Sequence, residues 1–269
     1  MENLKDSLLL LFGGDYSAAL WQYLLEGVMW TLICSLSAVI ISLVFGAVLA
    51  IVRNYCKGLR VLATVYIELF RNTPLMLWMF VGIVFFPAPS HFFGITMTTE
   101  YKLLFRVVIA LTLFTSSIMA EVIRGGLNSI NKGQFEAGYS QGFNFVQVLF
   151  YIVLPQTFKN VVPTMLSQVI TTIKDSSYLA NAGVTLEFMA KVKKLSTTAY
   201  LYTGNTTINV SDIIVLYSLA LLIYFAINFT LSCVVRKLQK RAKLPASDKA
   251  ATSWFKRRKI ELTTIEHKI

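Results

Sequence analysis

Glu136-Ala137-Gly138-Tyr139-Ser140-Gln141-Gly142, followed after nine intervening residues by Ile152-Val153-Leu154-Pro155, is a polar stretch with two glycines set between long apolar segments. Its surroundings decide what it means. Hydrophobic residues make up 55% of the 269-residue chain and charged ones 14%, against roughly 25% charged in an average soluble domain. A soluble chain of this length has no core large enough for so much apolar surface, whereas lipid solvates the outer face of a membrane protein. A polar, glycine-bearing stretch in such a chain is a handle outside the bilayer.

Uncharged runs set the membrane spans. Residues 27–52 form one, and the 23 residues of 213–235 another; each meets the roughly 20 apolar residues that cross a ~30 Å hydrocarbon core. Three more are less clean. The run 72–86 is too short alone, so its helix is expected to begin earlier and include Glu68 and Arg71. The run 107–120 is bounded by Arg106 and Glu121, and 160–186 is interrupted only by Lys174-Asp175. The fold expected is an all-α integral membrane protein of five spans: one domain over 1–240, a cytoplasmic segment over about 121–159, and a basic tail over 241–269.

Charge chooses the orientation. Of the 25 Lys and Arg, 17 fall in segments assigned to the inside, 11 of them from Arg236 onward, and 5 outside: Lys5, Lys102, Lys191, Lys193 and Lys194. The positive-inside rule then puts the amino terminus outside and the carboxyl terminus in the cytoplasm. Lysines 191–194 argue weakly the other way. The net charge of +11 therefore calls for no nucleic acid; the tail basics orient the chain and meet anionic lipid. Met1 to Gly14 carries two acidic residues, one lysine and only a short apolar stretch, so no cleavable signal peptide is expected. Cys34, Cys56 and Cys233 have neither metal-ligand spacing nor a disulfide framework. Asn205 and Asn209 match the glycosylation pattern and are read as coincidence.

The spacing E-A-x-x-x-x-G-x9-I-x-L-P carried by Glu136, Ala137, Gly142, Ile152, Leu154 and Pro155 resembles the signature loop of bacterial ABC importer permeases. In that family the loop forms a short coupling helix that docks on a cytoplasmic ATPase. Gly138 stands where the family usually has a second alanine, a small-for-small change expected to leave the surface shape nearly intact. Two neighbouring stretches, 120–126 and 132–137, resemble the polar amino acid subfamily, with Ser117 or Ile118 in place of an aromatic. Gly125-Gly126 is costly in a helix interior and reads as a tight exit from the third span.

Two further blocks carry the same resemblance. Glu68-Leu69-Phe70-Arg71-Asn72-Thr73-Pro74-Leu75 resembles the subfamily's (E)xFRxTPLL stretch. Physically, Pro74 removes a hydrogen bond to the carbonyl of residue 70, and Glu68 and Arg71 can pair on one helix face. A kinked helix with its charged end at the interface is the bland alternative. Lys174-Asp175-Ser176-Ser177 resembles the subfamily's K-D-[ST]-S stretch, whose acidic residue lies by the translocation path. A carboxylate in mid-membrane costs at least about 2.5–3.5 kcal/mol and normally faces a cavity or partner charge. A structural ion pair across the bundle is the alternative.

Gln168 lies seven residues before Asp175, on the same helix face and about 10 Å away. The pair suits the two ends of a small amino acid: Asp175 for the ammonium, Gln168 for a side-chain carboxylate or amide; a helix-packing glutamine bonded to a neighbour is the alternative for Gln168. Ser176 joins them, and Thr73 and Trp78 are placed along the path by position alone. Glutamate, glutamine or aspartate is the substrate expected, with arginine and lysine disfavoured for want of a second counter-charge.

No nucleophile elbow, zinc-protease motif or glycine-rich phosphate loop is present, and the two histidines, His91 and His267, lie in an outer loop and the tail. The resemblance thus implies no cofactor on this chain and ATP-Mg on a separate ATPase dimer. It also implies a second permease subunit, identical or related, and an extracytoplasmic amino-acid-binding protein, all at the bacterial plasma membrane. The rival is a proton-coupled secondary transporter or scaffold subunit, which has no need of an ordered polar loop at Glu136 to Pro155.

Overall fold

The computed structural model describes Gly13 and residues 17–92, 94–198 and 210–242. The start of the chain (residues 1–12), the Asn205 and Asn209 patterns and residues 243–269 of the tail lie outside these.

Helix α1 (Ser17–Tyr55) has 39 residues, about 58 Å at 1.5 Å per residue. Its buried positions, among them Gly27, Thr31, Ala38, Ser42, Gly46 and Ala50, recur every three or four residues and are mostly small. That is the stripe by which membrane helices approach closely. It packs on α4 (Thr99–Asn128), capped at its start by Thr98, whose side chain accepts the Tyr101 amide. A Cβ at Gly46 would come within 2.8 Å of Met119 Cβ and 2.9 Å of the Ala120 nitrogen. Across the same seam the Ser42 hydroxyl donates to the Thr112 carbonyl at 2.8 Å.

The second span differs from the single kinked helix expected. It is two helices, α2 (Arg60–Arg71) and α3 (Leu75–Phe85), bent by 110°. Pro74 does not interrupt a helix; it stands just before α3 with φ −65° and ψ 135°, a fixed φ suited to a helix start. The residue before a proline is pushed out of the helical region, so α2 has to end there. The contacts of this pair climb α4. Arg71 meets Glu121, the Tyr66 hydroxyl donates to the Leu113 carbonyl, and Arg106 donates to the Ile83 carbonyl. Among the described residues the only strands are β1 (His91–Phe92) and β2 (Ile95–Thr96), a short hairpin between α3 and α4.

The expected exit at Gly125-Gly126 is also corrected, because α4 runs through both glycines to Asn128. A Cβ on Gly126 would overlap Val161 Cγ1 and come within 3.0 Å of Thr157 Cγ2, whereas Gly125 has open space around it. Gly126 lets α4 cross closely over α7 (Leu154–Asp175). Between them lie α5 (Lys132–Ser140), the short turn α6 (Phe145–Gln147) and a π-helical stretch over Val148–Val153.

The fourth span, expected over 160–186, is a helical run over Phe145–Ala180, ending in a 3-10 turn over Ser176–Ala180. Then α8 (Phe188–Thr198) packs back between α1 and α9 (Val210–Ala242), burying Leu24, Phe188, Val192, Leu195 and Leu216 together. Lys191, assigned to an outer loop, is buried: its Nζ donates to Glu26 at 2.8 Å and stands 4.3 Å from the Tyr23 ring centroid. Lys193 and Lys194 are exposed. Among the described residues four helical runs are long and apolar enough to cross a membrane, and the bent pair makes a fifth if counted as one crossing. The three cysteines are free.

Gly126→Ala is expected to lower the thermal midpoint of the detergent-solubilised protein through an overpacking cost of about 1–3 kcal/mol. Gly125→Ala, in open space, should leave it unchanged or slightly raised, since alanine is the better helix former. Equal midpoints would contradict the close crossing.

Candidate functional site

The polar stretch over 136–142 is a helix with built ends, not a loose turn. In α5, Glu136, Ala137, Tyr139 and Ser140 are exposed, but Gly138 is buried. A Cβ there would come within 2.6 Å of Val148 Cγ2 and 3.1 Å of Ile152 Cδ1. Gly138 faces inward and seats α5 on the π-helical stretch, so a small residue there leaves the exposed surface of the helix to its neighbours. Gly142 has φ +82°. The Gly142 amide donates to Tyr139 O at 2.9 Å and the Phe143 amide to Gly138 O at 3.1 Å. This double closure of a helix end needs a left-handed residue, which glycine supplies without a Cβ clash. Asn144 and Gln147 then exchange side-chain-to-backbone bonds, both at 2.9 Å, starting the next turn.

Of the remaining signature residues, Ile152 is half-buried, Leu154 buried, and Pro155 exposed at the start of α7. Ile152 braces the helix from beneath, at Gly138, and Leu154 joins the buried cluster that includes Val148 and Val153. Tyr55, at the end of α1, has ring centroids 6.4 Å from Phe135 and 5.2 Å from Phe145, tying the platform to the bundle. The result is a nine-residue helix whose exposed face is held on the bundle from behind.

Glu68 and Arg71 do not pair with each other as the spacing predicted. Arg53 of α1 donates to Glu68 at 3.0 Å and to Glu121 at 2.9 Å, and Arg71 lies 3.7 Å from Glu121. The bend between α2 and α3 swings Arg71 toward α4, where Glu121 already receives Arg124. Thr73 and Trp78 are joined to each other: the indole donates to the Thr73 hydroxyl oxygen at 2.6 Å, and that hydroxyl bonds Leu69 O. Trp78 also stacks on Phe70 at 4.0 Å. This pair secures the Pro74 bend, and among the described residues no hydrogen bond links either residue to Asp175 or Gln168.

Gln168 and Asp175 both lie in α7, two turns apart on an uninterrupted stretch. The Gln168 Nε2 is buried without a hydrogen-bond partner, and Asp175 is half-buried. Lys174 turns away, exposed beside a recess of about 300 Å3 lined by Ser177, Met189, Tyr217 and Tyr224. Ser176 is corrected as a ligand: it is fully buried and its hydroxyl is spent on Ile173 O at 2.8 Å.

Sequence reasoning missed a second deep carboxylate. Glu187, fully buried, accepts from the Thr31 hydroxyl at 3.0 Å, the Tyr224 hydroxyl at 2.7 Å and the Met189 and Ala190 amides at 2.7 and 3.2 Å. It caps α8 and pins that helix to α1 and α9. Placed just past an expected span end, it looked like an ordinary boundary residue; its partners lie 156 and 37 positions away.

With this geometry in hand, comparison with known proteins is informative. Residues 42–244 match the family model described as binding-protein-dependent transport system inner membrane component. The chain is 35% identical over 232 residues to a Bacillus subtilis protein named "Probable glutamine ABC transporter permease protein GlnP", covering 86% of this chain and 98% of that one. It is 30% identical over 226 residues to the B. subtilis "L-cystine transport system permease protein TcyB", covering 82% and 87%. Among solved structures, an amino acid ABC transporter with histidines aligns at TM-score 0.65 and 23% identity, covering 86% of this chain and all of that one; at that identity it speaks for the fold alone.

Glu187→Ala is expected to destabilise the protein strongly, because it leaves buried hydroxyl and amide donors unpaired at about 1–3 kcal/mol each. Thermal unfolding in detergent, with the peripheral Ser177→Ala as comparison, measures it. Equal midpoints would mean Glu187 is no pin.

Proposed function

This chain belongs to the family of binding-protein-dependent transport system inner membrane components, and on that premise we propose that it forms part of the path by which an ATP-driven importer takes up a polar amino acid. Glutamate, glutamine or aspartate is the substrate class. The observation that carries the substrate reading is the pair on α7: a buried amide donor with no partner at Gln168 and a half-buried carboxylate at Asp175. Groups left unpaired at depth cost free energy, so a ligand that bonds both is favoured there. Asp175 takes the ammonium, and Gln168 donates to the side-chain carbonyl or carboxylate. A cationic side chain would meet no second carboxylate on this face. The name of the B. subtilis glutamine permease supports the same class.

In this reading α5 is the coupling helix. Glu136, Ala137 and Tyr139 enter a groove on a separate ATPase dimer, which holds ATP-Mg and performs the hydrolysis; Gly142 ends the helix sharply enough to fit. A second permease subunit completes the walls of the path, and an extracytoplasmic receptor delivers the substrate. A proton-coupled carrier built around Asp175 would leave the stiffly mounted α5 without a task. The amino terminus lies outside and the carboxyl terminus in the cytoplasm, supported by the 17-to-5 division of basic residues; the climb of the α2–α3 contacts along α4 from Glu121 to Arg106 supports counting the bent pair as one crossing.

Uptake into vesicles reconstituted with the ATPase, second subunit and receptor tests the function. Asp175→Asn is expected to abolish uptake, Gln168→Glu to impair glutamate more than glutamine, and Glu136→Lys and Gly142→Asp to abolish uptake with normal membrane insertion. Normal uptake by Asp175→Asn, or a receptor selective for arginine, overturns the substrate assignment. Unimpaired uptake by both α5 variants overturns the coupling assignment. Separately, reporter fusions after Val52, Phe86, Arg124, Thr198 and Lys237 should alternate in, out, in, out, in; a cytoplasmic score after Phe86 would mean that α2 and α3 re-enter rather than cross.

A further inference from the structure

We propose that Glu121 is a positioning residue that carries motion of α5 to the bent second crossing; this rests on the reading of α5 as the coupling helix. Glu121 sits seven residues before the end of α4, about 10 Å along a continuous helix, and residues 129–131 alone separate that end from α5. The inner end of α4 is held on two sides. Toward α7, the helix that carries Gln168 and Asp175, Gly126 meets Val161 and Thr157 without clearance. Toward α1 and α2, Glu121 collects three guanidinium groups: Arg53 at 2.9 Å, Arg71 at 3.7 Å, and Arg124.

The connection continues beyond Glu121. Arg53 uses its second terminal nitrogen on Glu68 at 3.0 Å, and Asn72 donates to the other Glu68 oxygen at 3.2 Å. Asn72 adjoins Thr73, whose hydroxyl bonds Leu69 O and takes the Trp78 indole at the Pro74 bend. A series of polar contacts, joined by the Asn72–Thr73 peptide bond, therefore runs from α4 to the bend at Pro74.

Two features make this series a transmitter rather than a fixed joint. The side chains are partly open, 23% for Glu121 and 45% for Glu68, so water can replace a partner when a pair separates and each pair is weak. The bend itself is held by a proline, one indole bond and one ring stack, not by a continuous helix. A break of this kind absorbs a change of angle at a few residues, as hinges do. When α5 is displaced by its ATPase, α4 moves as a rod, Glu121 draws Arg53 and Arg71, and α2 turns about Thr73-Pro74. Without Glu121 the rod still moves, but α2 is no longer drawn with it.

The test uses the assembled transporter in vesicles and reads ATP hydrolysis and amino acid uptake side by side. Glu121→Gln is expected to bind the ATPase and keep most of its hydrolysis while uptake falls about tenfold or more, the size of a typical coupling between sites. Glu121→Asp should restore much of the uptake. Should Glu121→Gln fail to accumulate in the membrane, Glu68→Gln, which leaves Glu121 and its three arginines in place, is expected to show the same split in weaker form. A spin-label pair on α2 and α5, at Leu62→Cys and Lys132→Cys (both exposed) with the native cysteines replaced, should change distance on ATP binding differently with and without Glu121. Hydrolysis and uptake falling in parallel, unaltered uptake, or an identical distance change in Glu121→Gln would overturn the proposal. Loss of ATPase binding by Glu136→Lys, with the Glu121 variants unaffected in every readout, would leave the coupling-helix reading standing and remove only this inference.

Discussion

The seam between α1 and α4 is the constraint on which the other elements depend. Lipid offers no hydrophobic drive for two apolar helices to associate, so close backbone approach and shared hydrogen bonds have to do it. Gly46 permits the approach, and Ser42 bonding the Thr112 carbonyl fixes the register. Once α1 and α4 are locked, each later element has a surface to match. The α2–α3 pair climbs α4, α7 crosses it at Gly126, and α8 lies against the amino-terminal half of α1 through Glu187 and Lys191. The same logic explains the small residues along α1: a larger side chain there would separate the two helices on which the others are assembled.

Two carboxylates show how differently depth can be used. Glu187 is saturated, with hydroxyl donors from α1 and α9 and two amides from its own helix. It is a structural pin and has no capacity left for a ligand. Asp175 sits at the end of α7, two turns beyond the unpartnered Gln168 amide, and is only half-buried. Burial alone would have ranked the first as the functional group. Counting hydrogen bonds reverses the order, because an unsatisfied group is the one whose free energy a ligand can lower.

Much of the architecture was legible in the sequence where a rule depends on local composition. The first and last spans follow from uninterrupted apolar runs, and helix α5 lies where the polar signature placed an exposed segment. What stayed hidden depends on partners distant in sequence. Gly125 and Gly126 read alike, yet only Gly126 has Val161 and Thr157 against it. Glu68 and Arg71 have ideal spacing for each other, but Arg53 and Glu121 offer shorter geometry from other helices. Lys191 looks like an ordinary loop cation until Glu26 and Tyr23 of α1 come beside it. The break at Pro74 was visible as a proline; its 110° size was not, because a kink and a new helix start share one residue signature.

That break bears on how the chain enters the bilayer during synthesis. Helix α3 has 11 residues, about 16 Å of rise, roughly half of the hydrocarbon thickness. It is too short to partition into lipid unaided, and α2 leaves it at a steep angle with charged residues at the join. Its stability in the membrane is borrowed from α4, against which Met79 and Gly82 are buried and to which Arg106 is tied through the Ile83 carbonyl. During synthesis α3 therefore has to wait near the exit of the insertion machinery until about forty further residues have emerged, and α3, the hairpin and α4 enter as one unit.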